Sequence, residues 1–517
     1  MKLTAIKADL THSEPIVILN SDDCLEMGVS EKDHVRVTGK TSLTTGVVVA
    51  KTALPKGFAL IPNIIMDRCG IENASIIEVT YSPSPESIIS IRKKINGEKL
   101  TREEIDSIIE DIMDGDLYDK EIIAFVSSFN IGNADSDEIA ELAKSMASTG
   151  KSVDFGVRPI FDFHSLGGVP GNKITPIIVS IIASEGLTIP KLSSRAVSSA
   201  CGTSDYVDTF CDVELDSETI LRAVHNVKGV FACGNEDYAP VGDKIIRAER
   251  PMGIDPRPMM IASIMSKKIS LGVTDLLVDI PVGRGTKIQD IETAYDFAEA
   301  LIEVGDRLGI VTECAVSYAD QPLGMTIGPI LEARECIRIL EGPKDDCEVL
   351  DKACRMAGII LEMNGFDDGT ERAFSIVKSG KAHEKFLEIV KVQNGDPGLR
   401  SEDLVPGPFV KDVHAKNTGI VQYVDIPSIV AVAKGAGAPG DVGAGIELVH
   451  RAGDNVYRGD VLFRIYAESQ GKLDRAIESA RSRPPMFVSN GAISPRPDSM
   501  IVLRISPDDV LNRCLLG

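Results

Sequence analysis

The sequence predicts a multidomain α/β protein, in which an N-terminal β domain and a small all-α domain precede a large, mainly parallel α/β domain and a C-terminal α+β domain. Three observations support this prediction. The chain has 517 residues, which is too long for a single hydrophobic core. From residue 160 to about 345, apolar runs of strand length alternate with helical patterns, as in a parallel sheet with crossover helices. Segments 82–87 and 393–410 are rich in Pro, Gly or Ser and have the composition of linkers.

The N-terminal part of the chain is predicted to be a β domain over residues 1–83. Its segments "VRVTGK", "TTGVVVAK" and "FALIPNIIM" are short and β-branched, and Gly, Pro and Lys turns separate them. The next region, 88–160, predicts a small helical domain, to which part of the following chain could return. Two of its helices open with a capping-box pattern, Thr101 with Glu104 and Asp135 with Glu138, and "DKEIIAFVSSFN" between them predicts a third.

The remaining chain is predicted to form two further domains. Apolar strand-length runs and helical patterns alternate over 161–395, which we assign to the large α/β domain. Beyond the second linker, segments such as "HAKNTGIVQYVD" and "SMIVLRIS" with tight Gly turns predict an α+β domain over 410–517.

The composition disfavours several classes of partner. With 77 acidic and 55 basic residues the net charge is −22, which argues against binding nucleic acid or an anionic membrane. No apolar run is long enough to span a bilayer, and the N-terminus lacks a signal-peptide core. Ten cysteines without a C-x-x-C pair favour reduced thiols in a cytoplasm, and seven scattered histidines without H-x-x-x-H give no reason to expect a metal or other cofactor.

The first segment with functional character is "DFHSLGGVPGNKIT", residues 162–175. A glycine-rich turn that enters a helix directs backbone N–H groups and the helix dipole toward an anion. Here Gly168 permits close approach of a ligand, Ser165 offers a hydroxyl and Lys173 offers charge. The spacing is not that of a Walker loop. The segment therefore predicts either a phosphate site or a ligand-free surface loop.

The second segment, "SSRAVSSACGTSD" at 193–205, is a dense array of hydrogen-bond donors after an apolar run. Arg195 favours phosphate binding, because a guanidinium can engage phosphate oxygens with two hydrogen bonds. The alternative is a polar surface turn.

Two more segments carry polar residues at the ends of apolar elements. In "DPRPMMIASIMSKK", Asp255 precedes a helix on which Ser263 and Lys267 share a face. In "DIPVGRGTK", a glycine turn places Arg284 and Lys287 at the carboxyl end of a strand, where open α/β sheets bind ligands. Each signal is weak alone, but four such loops in one α/β region together predict a ligand site.

In this order, the motifs "DFHSLGGVPGNKITPIIVSIIAS", "SSRAVSSACGTSDYVDTF" and "DPRPMMIASIMSKKISLGVTDLLVDIPVGRG", with the helical unit at 88–150, resemble the thymidine/pyrimidine-nucleoside phosphorylases. These enzymes share their small α domain and large α/β domain with anthranilate phosphoribosyltransferase. The resemblance covers roughly 88–490. The extra β domain and "SSRAVSSACGTSD" are similar to the archaeal branch of the family, the AMP phosphorylases.

This resemblance implies a pentosyltransferase that converts AMP, and also CMP and UMP, with inorganic phosphate into the free base and ribose 1,5-bisphosphate. It implies a homodimer or larger homo-oligomer that needs no cofactor. The composition adds the expectation of a cytoplasmic protein that binds neither nucleic acid nor membrane. The first alternative is a thymidine/pyrimidine-nucleoside phosphorylase that gives (deoxy)ribose 1-phosphate. A phosphoribosyltransferase, which would need Mg²⁺ and an acidic pair, and a non-catalytic nucleotide sensor are two others.

The resemblance also implies roles for individual residues. It makes Asp255 the proton donor to the leaving base. The implied substrate-binding residues are Gly168, Ser194, Arg195, Ala196, Val197, Ser198, Ser199, Thr203, Ser263 and Lys287. The candidate phosphate-binding residues are His164, Ser165 and Lys267. Phe163 stands where the nucleoside enzymes have Lys, so one phosphate-binding charge is either missing or supplied from elsewhere. Neither Arg247 nor Arg250 aligns cleanly with the base-contacting arginine.

Two requirements follow for an AMP-specific site. Asp255 has to be protonated near neutral pH, which requires an apolar pocket or a nearby carboxylate. Apolar surroundings are available in Met252, Ile254, Met259 and Met260. A substrate that carries a 5′-phosphate needs a second anion site beside the one for inorganic phosphate. The segment 194–199 with Arg195, or Lys287, is the candidate for that second site.

Overall fold

A computed structural model describes the protein at residues 1–10, 15–31, 33–51, 53–131, 134–196, 199–234, 237–249, 251–342, 347–491 and 497–516. The chain forms two compact units, residues 1–149 with 239–263 and residues 150–238 with 264–517. Residues 239–263 thus group with the N-terminal region rather than with the chain that flanks them. The four domain limits inferred from the sequence stay predictions.

The first unit begins with a closed β-barrel whose strand order is β1-β5-β2-β4-β3-β6. Its strands are β1 (Lys2–Ala8), β2 (Ile16–Asn20), β3 (His34–Thr38), β4 (Ser42–Ala50), β5 (Phe58–Pro62) and β6 (Ile76–Tyr81), and its two short helices are α1 (Ser21–Met27) and α2 (Asn63–Cys69). The expected β-rich domain is therefore present. The expectation of one strand over "FALIPNIIM" is wrong in its second half, because a helix follows Pro62. That helix buries Ile65, Met66 and Cys69 at helical spacing.

Helices follow the barrel, as the sequence predicts: α3 (Ser87–Ile95), α4 (Arg102–Asp114), α5 (Asp119–Ile131) and α6 (Ser136–Ser148). The capping box of α4 is confirmed, since Thr101 and Glu104 exchange hydrogen bonds. At α6 only half of the pattern forms. Asp135 accepts from the backbone N–H of Glu138, but the Glu138 carboxylate is buried against the ammonium of Lys94, 2.5 Å away.

The second unit contains the alternating elements expected of an α/β domain. Its first stretch holds β7 (Phe161–Ser165), α7 (Thr175–Ser184), β8 (Ile189–Ser193), α8 (Thr203–Val207), α9 (Ser217–Val227) and β9 (Gly229–Cys233). The chain continues through α10 (Pro240–Glu249) of the first unit and α11 (Arg257–Ser270), within which the division between the units falls. The next elements are β10 (Asp275–Val282), α12 (Ile291–Leu308), β11 (Val311–Tyr318), β12 (Thr326–Ile327), α13 (Pro329–Glu341), α14 (Glu348–Met363), α15 (Gly369–Lys378) and α16 (Lys381–Val392).

The sheets of this region are mainly parallel, as predicted. Strands β7, β10 and β11 pair in parallel, and β8 pairs in parallel with β9. An isolated parallel bridge between Ile160 and Thr188 links the chain beside β7 to the chain beside β8. Helix α7 is buried along nearly its whole length, which explains why "PIIVSIIAS" has no polar face.

The C-terminal elements are β13 (Phe409–His414), β14 (Gly419–Val424), α17 (Ile426–Ala436), β15 (Gly445–Leu448), β16 (Asn455–Val456), β17 (Val461–Ala467), α18 (Gln470–Ser482), β18 (Met486–Ser489), β19 (Ile501–Ile505) and α19 (Pro507–Leu516). They form two small antiparallel sheets, β12-β15-β17-β13 and β16-β14-β18. The sequence suggests that β19 belongs to the terminal domain. Instead, β19 is the edge strand of the large sheet, where it pairs antiparallel with β11.

Within the described ranges, no helix combines the length and the hydropathy needed to cross a bilayer.

Candidate functional site

The three polar segments of the second unit each follow a parallel strand. Strand β7 ends at Ser165, β8 ends at Ser193 and β10 ends at Val282. Because these strands run in the same direction, the segments that follow them leave the sheets on the same side. The structure therefore gives these three predicted segments the placement that open α/β sheets use for ligands.

The glycine loop and the turn after β10 lie against each other. Gly168 has φ +85°, and a β-carbon added there would lie 3.6 Å from the backbone N of Lys287. The positive φ explains the glycine at this position, and the 3.6 Å distance shows that the two turns are in van der Waals contact. Helix α7 begins only at Thr175, and its first turn is buried. The turn that contains Gly168, rather than the N-terminus of α7, is thus the part of the loop beside Lys287.

Ser165 is held in a hydrogen-bond network at the end of β7. Its hydroxyl donates to Oδ2 of Asp279 at 2.7 Å and accepts from Nδ2 of Asn172 at 3.0 Å. The carboxylate of Asp279 is fully buried, accepts from the hydroxyl of Ser317 and pairs with the ammonium of Lys352 at 2.8 Å. The hydroxyl proton of Ser165 is therefore engaged by a buried anion, and Ser165 fixes the start of the loop to the sheet.

His164 lies in strongly positive surroundings. Burial, together with the charges of Lys268, Lys191, Lys267 and Lys287, lowers the pKa of His164 well below its ordinary value. The imidazole is therefore neutral at physiological pH and can donate or accept a hydrogen bond. The same positive charges favour an anion near this end of β7.

Two of those lysines, Lys191 and Lys268, are buried and pair with Asp162, two residues before His164. The ammonium of Lys268 lies 2.5 Å from Oδ2 of Asp162, and that of Lys191 lies 3.6 Å from Oδ1. Burial lowers the pKa of Lys191 to about 7, with Asp162 opposing the shift and Lys268 adding to it. Successive strand residues alternate between faces, so Asp162 and His164 share one face of β7. Phe163 is on the other face, 1% exposed in the hydrophobic core. Lys191 of β8 and Lys268 of α11 thus add positive charge near His164.

The carboxylate of Asp205 links the two ends of the segment after β8. Oδ2 of Asp205 accepts from the backbone N–H groups of Ala196 and Gly202, both at 2.8 Å. The hydroxyl of Ser199 donates to the carbonyl of Cys201. Ser194 and Thr203 lie on the same closed segment, while the predicted contacts Val197 and Ser198 lie outside the described residues.

Arg195 is surrounded by carboxylates, which the sequence did not indicate. Its guanidinium lies 2.9 Å from Asp208, 3.1 Å from Glu214 and 3.6 Å from Asp205. These groups already compensate its charge, so a phosphate at this guanidinium would have to compete with them. A phosphate-binding role for Arg195 stays a prediction that this pairing disfavours.

Lys173 also differs from its expected role as a charge offered by the loop. Its side chain is completely buried, and its ammonium donates to Oε2 of Glu335 at 2.9 Å and to the carbonyl of Leu323 at 3.0 Å. Lys173 does not face outward with the glycine turn, because those partners hold it inside the protein.

Asp255 and Ser263 belong to the first unit. Asp255 is exposed just before α11, and Ser263 and Lys267 are spaced four apart on that helix, as predicted. The expected apolar enclosure of Asp255 is not present among the described residues. Met252 is 63% exposed, and of that predicted group Met259 is the one fully buried. Arg250 lies outside the described residues.

Sequence reasoning missed several residues that shape this region. All of them are buried residues with ionisable side chains: Asp162, Lys191, Lys268, Asp279 and Lys352. A charged residue inside a short apolar strand, as in "IPKLS" and "DLLVDIPV", is the available signal, since a buried charge requires a partner. In the described part of the chain, no group of three or more histidine, cysteine, aspartate or glutamate residues is arranged to hold a metal ion.

Comparison with family models identifies three regions of the chain. The helical bundle domain of a glycosyl transferase family matches residues 90–150, and the a/b domain of that family matches residues 157–383. The C-terminal domain of pyrimidine nucleoside phosphorylase matches residues 420–485.

The chain is similar over nearly its whole length to curated archaeal proteins. It is 41% identical over 492 residues to AMP phosphorylase 1 of Archaeoglobus fulgidus, covering 95% of this chain and 98% of that protein. It is also 41% identical to AMP phosphorylase of Thermococcus kodakarensis, covering 93% and 96% of the two chains. Among solved structures, anthranilate phosphoribosyltransferase from Thermus thermophilus has a TM-score of 0.50 at 18% identity, covering 59% of this chain and 99% of that one. At that identity the likeness concerns the fold alone.

Proposed function

This chain belongs to the AMP phosphorylase family, and we propose that it catalyses the phosphorolysis of AMP to adenine and ribose 1,5-bisphosphate. The observation that carries this proposal is the meeting of the glycine turn at Gly168 with the turn of Lys287, beside the lysine-rich surroundings of His164. Such a place suits a dianion, and inorganic phosphate is the co-substrate that phosphorolysis requires.

The reaction replaces one bond to the sugar by another. The C1′–N9 bond of AMP breaks with its electron pair going to adenine, which takes up a proton, and an oxygen of phosphate forms the new C1′–O bond. Holding phosphate in position for this attack can contribute up to about 7–11 kcal/mol. A placed acid contributes about 10²–10⁴-fold in rate. We assign proton donation to Asp255 and phosphate positioning to the glycine loop with His164 and Ser165.

The 5′-phosphate of a nucleotide requires a second group of donors. Lys287 is exposed and adjoins Gly168, and the segment that contains Ser194 and Ser199 carries hydroxyls at the end of the neighbouring strand. We assign the 5′-phosphate to these groups, a further nucleotide contact to Ser263, and a phosphate contact to Lys267, whose charge acts on His164. CMP and UMP fit the same proposal, because recognition of the 5′-phosphate does not depend on the base.

A phosphate-dependent assay for free base tests this function. Purified protein is incubated with AMP in the presence and absence of inorganic phosphate, adenine is measured by chromatography and the sugar product by ³¹P NMR. We expect adenine only with phosphate, a product with two phosphorus signals, and kcat/KM for AMP above that for adenosine by orders of magnitude.

Two other results would replace the proposal. Equal rates on AMP and adenosine, or turnover of thymidine or uridine alone, would indicate a nucleoside phosphorylase, which the match of residues 420–485 to the pyrimidine enzymes' C-terminal domain makes the second candidate. Binding of AMP without any release of base would indicate a nucleotide sensor.

A further inference from the structure

The glycine loop contains a fully buried lysine whose ammonium donates to two oxygen atoms. Nζ of Lys173 donates to the carbonyl of Leu323 and to the carboxylate of Glu335, and the side chain has no exposed surface. These partners come from the segment before β12 and from α13. One cation thus joins the glycine loop to two other parts of the second unit.

The surroundings of this ammonium are closely built. Gly324 has φ +72°, and a β-carbon there would lie 2.9 Å from Nζ of Lys173 and 2.7 Å from Oε1 of Glu335. The backbone of this segment therefore approaches the ion pair as closely as glycine allows. Glu335 also accepts from the backbone N–H of Met325 and the hydroxyl of Thr326. Although burial acts in the opposite direction, Lys173 and these hydrogen bonds lower the pKa of Glu335, which keeps the carboxylate ionised.

The charge of Lys173 also acts on the segment after β8. Burial, with Glu335 and Asp205 adding to it, raises the pKa of Glu332 to about 7, and Lys173 opposes that shift. Asp205 is the carboxylate that closes the segment through the N–H groups of Ala196 and Gly202. Glu332 is thus influenced both by Lys173 of the glycine loop and by Asp205 of the serine-rich segment.

We infer that Lys173 is a positioning residue whose buried ammonium holds the glycine loop in the geometry that binds inorganic phosphate, without touching the substrate. This inference rests on the proposed function. It predicts that the ammonium, rather than the volume of the side chain, sets the affinity for phosphate. A lysine that only stabilised the fold would affect unfolding and leave phosphate affinity unchanged.

Two variants separate charge from volume. Lys173→Ala leaves a space the size of propylammonium lined by a carbonyl and a carboxylate, and Lys173→Met keeps most of the volume without the charge. We expect both to raise the KM for phosphate by about tenfold or more with a smaller change in kcat, since the reacting groups are untouched. Millimolar propylammonium should restore the KM of Lys173→Ala but not that of Lys173→Met, and tetramethylammonium, which donates no hydrogen bond, should restore neither.

Lys94→Ala is the matched control. Lys94 is equally buried, and its ammonium pairs with Glu138 at 2.5 Å in the first unit. We expect this variant to lose stability while its phosphate KM stays unchanged and propylammonium has no effect on it. A similar rise in KM in Lys94→Ala would show a general effect of removing a buried lysine and would overturn the inference.

Two measurements do not require catalysis, so they test the role of Lys173 independently of the proposed function. Phosphate binding to each variant is measured by calorimetry, and the thermal midpoint of Lys173→Ala is measured with and without propylammonium. Absence of base release by the unmodified protein would count against the proposed function alone. Unchanged phosphate affinity in folded Lys173→Met, or no recovery of affinity in Lys173→Ala with propylammonium, would overturn the role of Lys173. If Lys173→Ala does not fold, Lys173→Met decides.

Discussion

Ser165 and Asp279 are register partners on adjacent parallel strands, and the hydroxyl of Ser165 donates a 2.7 Å hydrogen bond to the buried carboxylate of Asp279. This contact ties the start of the glycine loop to the middle of the sheet. Asp279 is itself compensated by Lys352 and bonded to Ser317 on the next strand. The position of the loop thus depends on a buried polar network.

Ser165→Ala and Ser317→Ala each remove one hydroxyl from Asp279, but only Ser165 belongs to the loop. We expect each variant to lose about 1 kcal/mol of unfolding free energy in urea titrations, the usual net value of one hydrogen bond. Ser165→Ala should in addition raise the phosphate KM several-fold, while Ser317→Ala leaves it unchanged. An equal effect of the two variants on phosphate KM would show that Ser165 acts through stability alone.

Asp255→Asn tests the proton donor. An amide cannot give up a proton to the leaving base, so we expect kcat to fall by about 10²–10⁴-fold while the KM for AMP changes little. The measurement is steady-state release of adenine at saturating phosphate. Asp67→Asn, at another exposed aspartate of the first unit, is the control and should behave as the unmodified protein. Near-normal turnover of Asp255→Asn would remove Asp255 from the mechanism.

Lys287→Ala and Arg195→Ala distinguish the two candidates for the 5′-phosphate. The guanidinium of Arg195 is paired with Asp208 and Glu214, and Lys287 lies beside Gly168 of the glycine loop. We expect Lys287→Ala to lower the preference for AMP over adenosine by about tenfold or more, the size of a lost charge-assisted hydrogen bond, and Arg195→Ala to change it much less. The ratio of kcat/KM for the two substrates is the measurement. The reverse order of effects would assign the 5′-phosphate to Arg195.

Glu332→Gln tests the buried carboxyl behind the serine-rich segment. The folded-state pKa of Glu332 is about 7, above the unfolded value, so its contribution to stability is fully present below about pH 4.5 and is lost as the pH rises through 7. Glutamine mimics the protonated form. We therefore expect the stability of Glu332→Gln relative to the unmodified protein to increase from pH 5 to pH 8 by about 2–3 kcal/mol. Urea titrations across this range measure the difference, and a pH-independent difference would contradict the expected pKa.

Much of the architecture was predictable because it depends on local patterns. Hydrophobic periodicity distinguished the β-rich start, the helices after it and the alternating α/β region, and Thr101 with Glu104 marked a helix start correctly. The error at "FALIPNIIM" has the same origin, because a short apolar run fits a strand and a buried helix equally well.

The sequence by itself determined which segments would follow strands, and therefore which polar loops would leave the sheets on one side. Only the tertiary structure decided what their charged side chains do. Lys173 points to Glu335, a partner 162 residues away in the chain, and Arg195 is occupied by Asp208 and Glu214. Local periodicity encodes backbone conformation, whereas the partner of a charge depends on which distant segments the fold brings within about 4 Å of it.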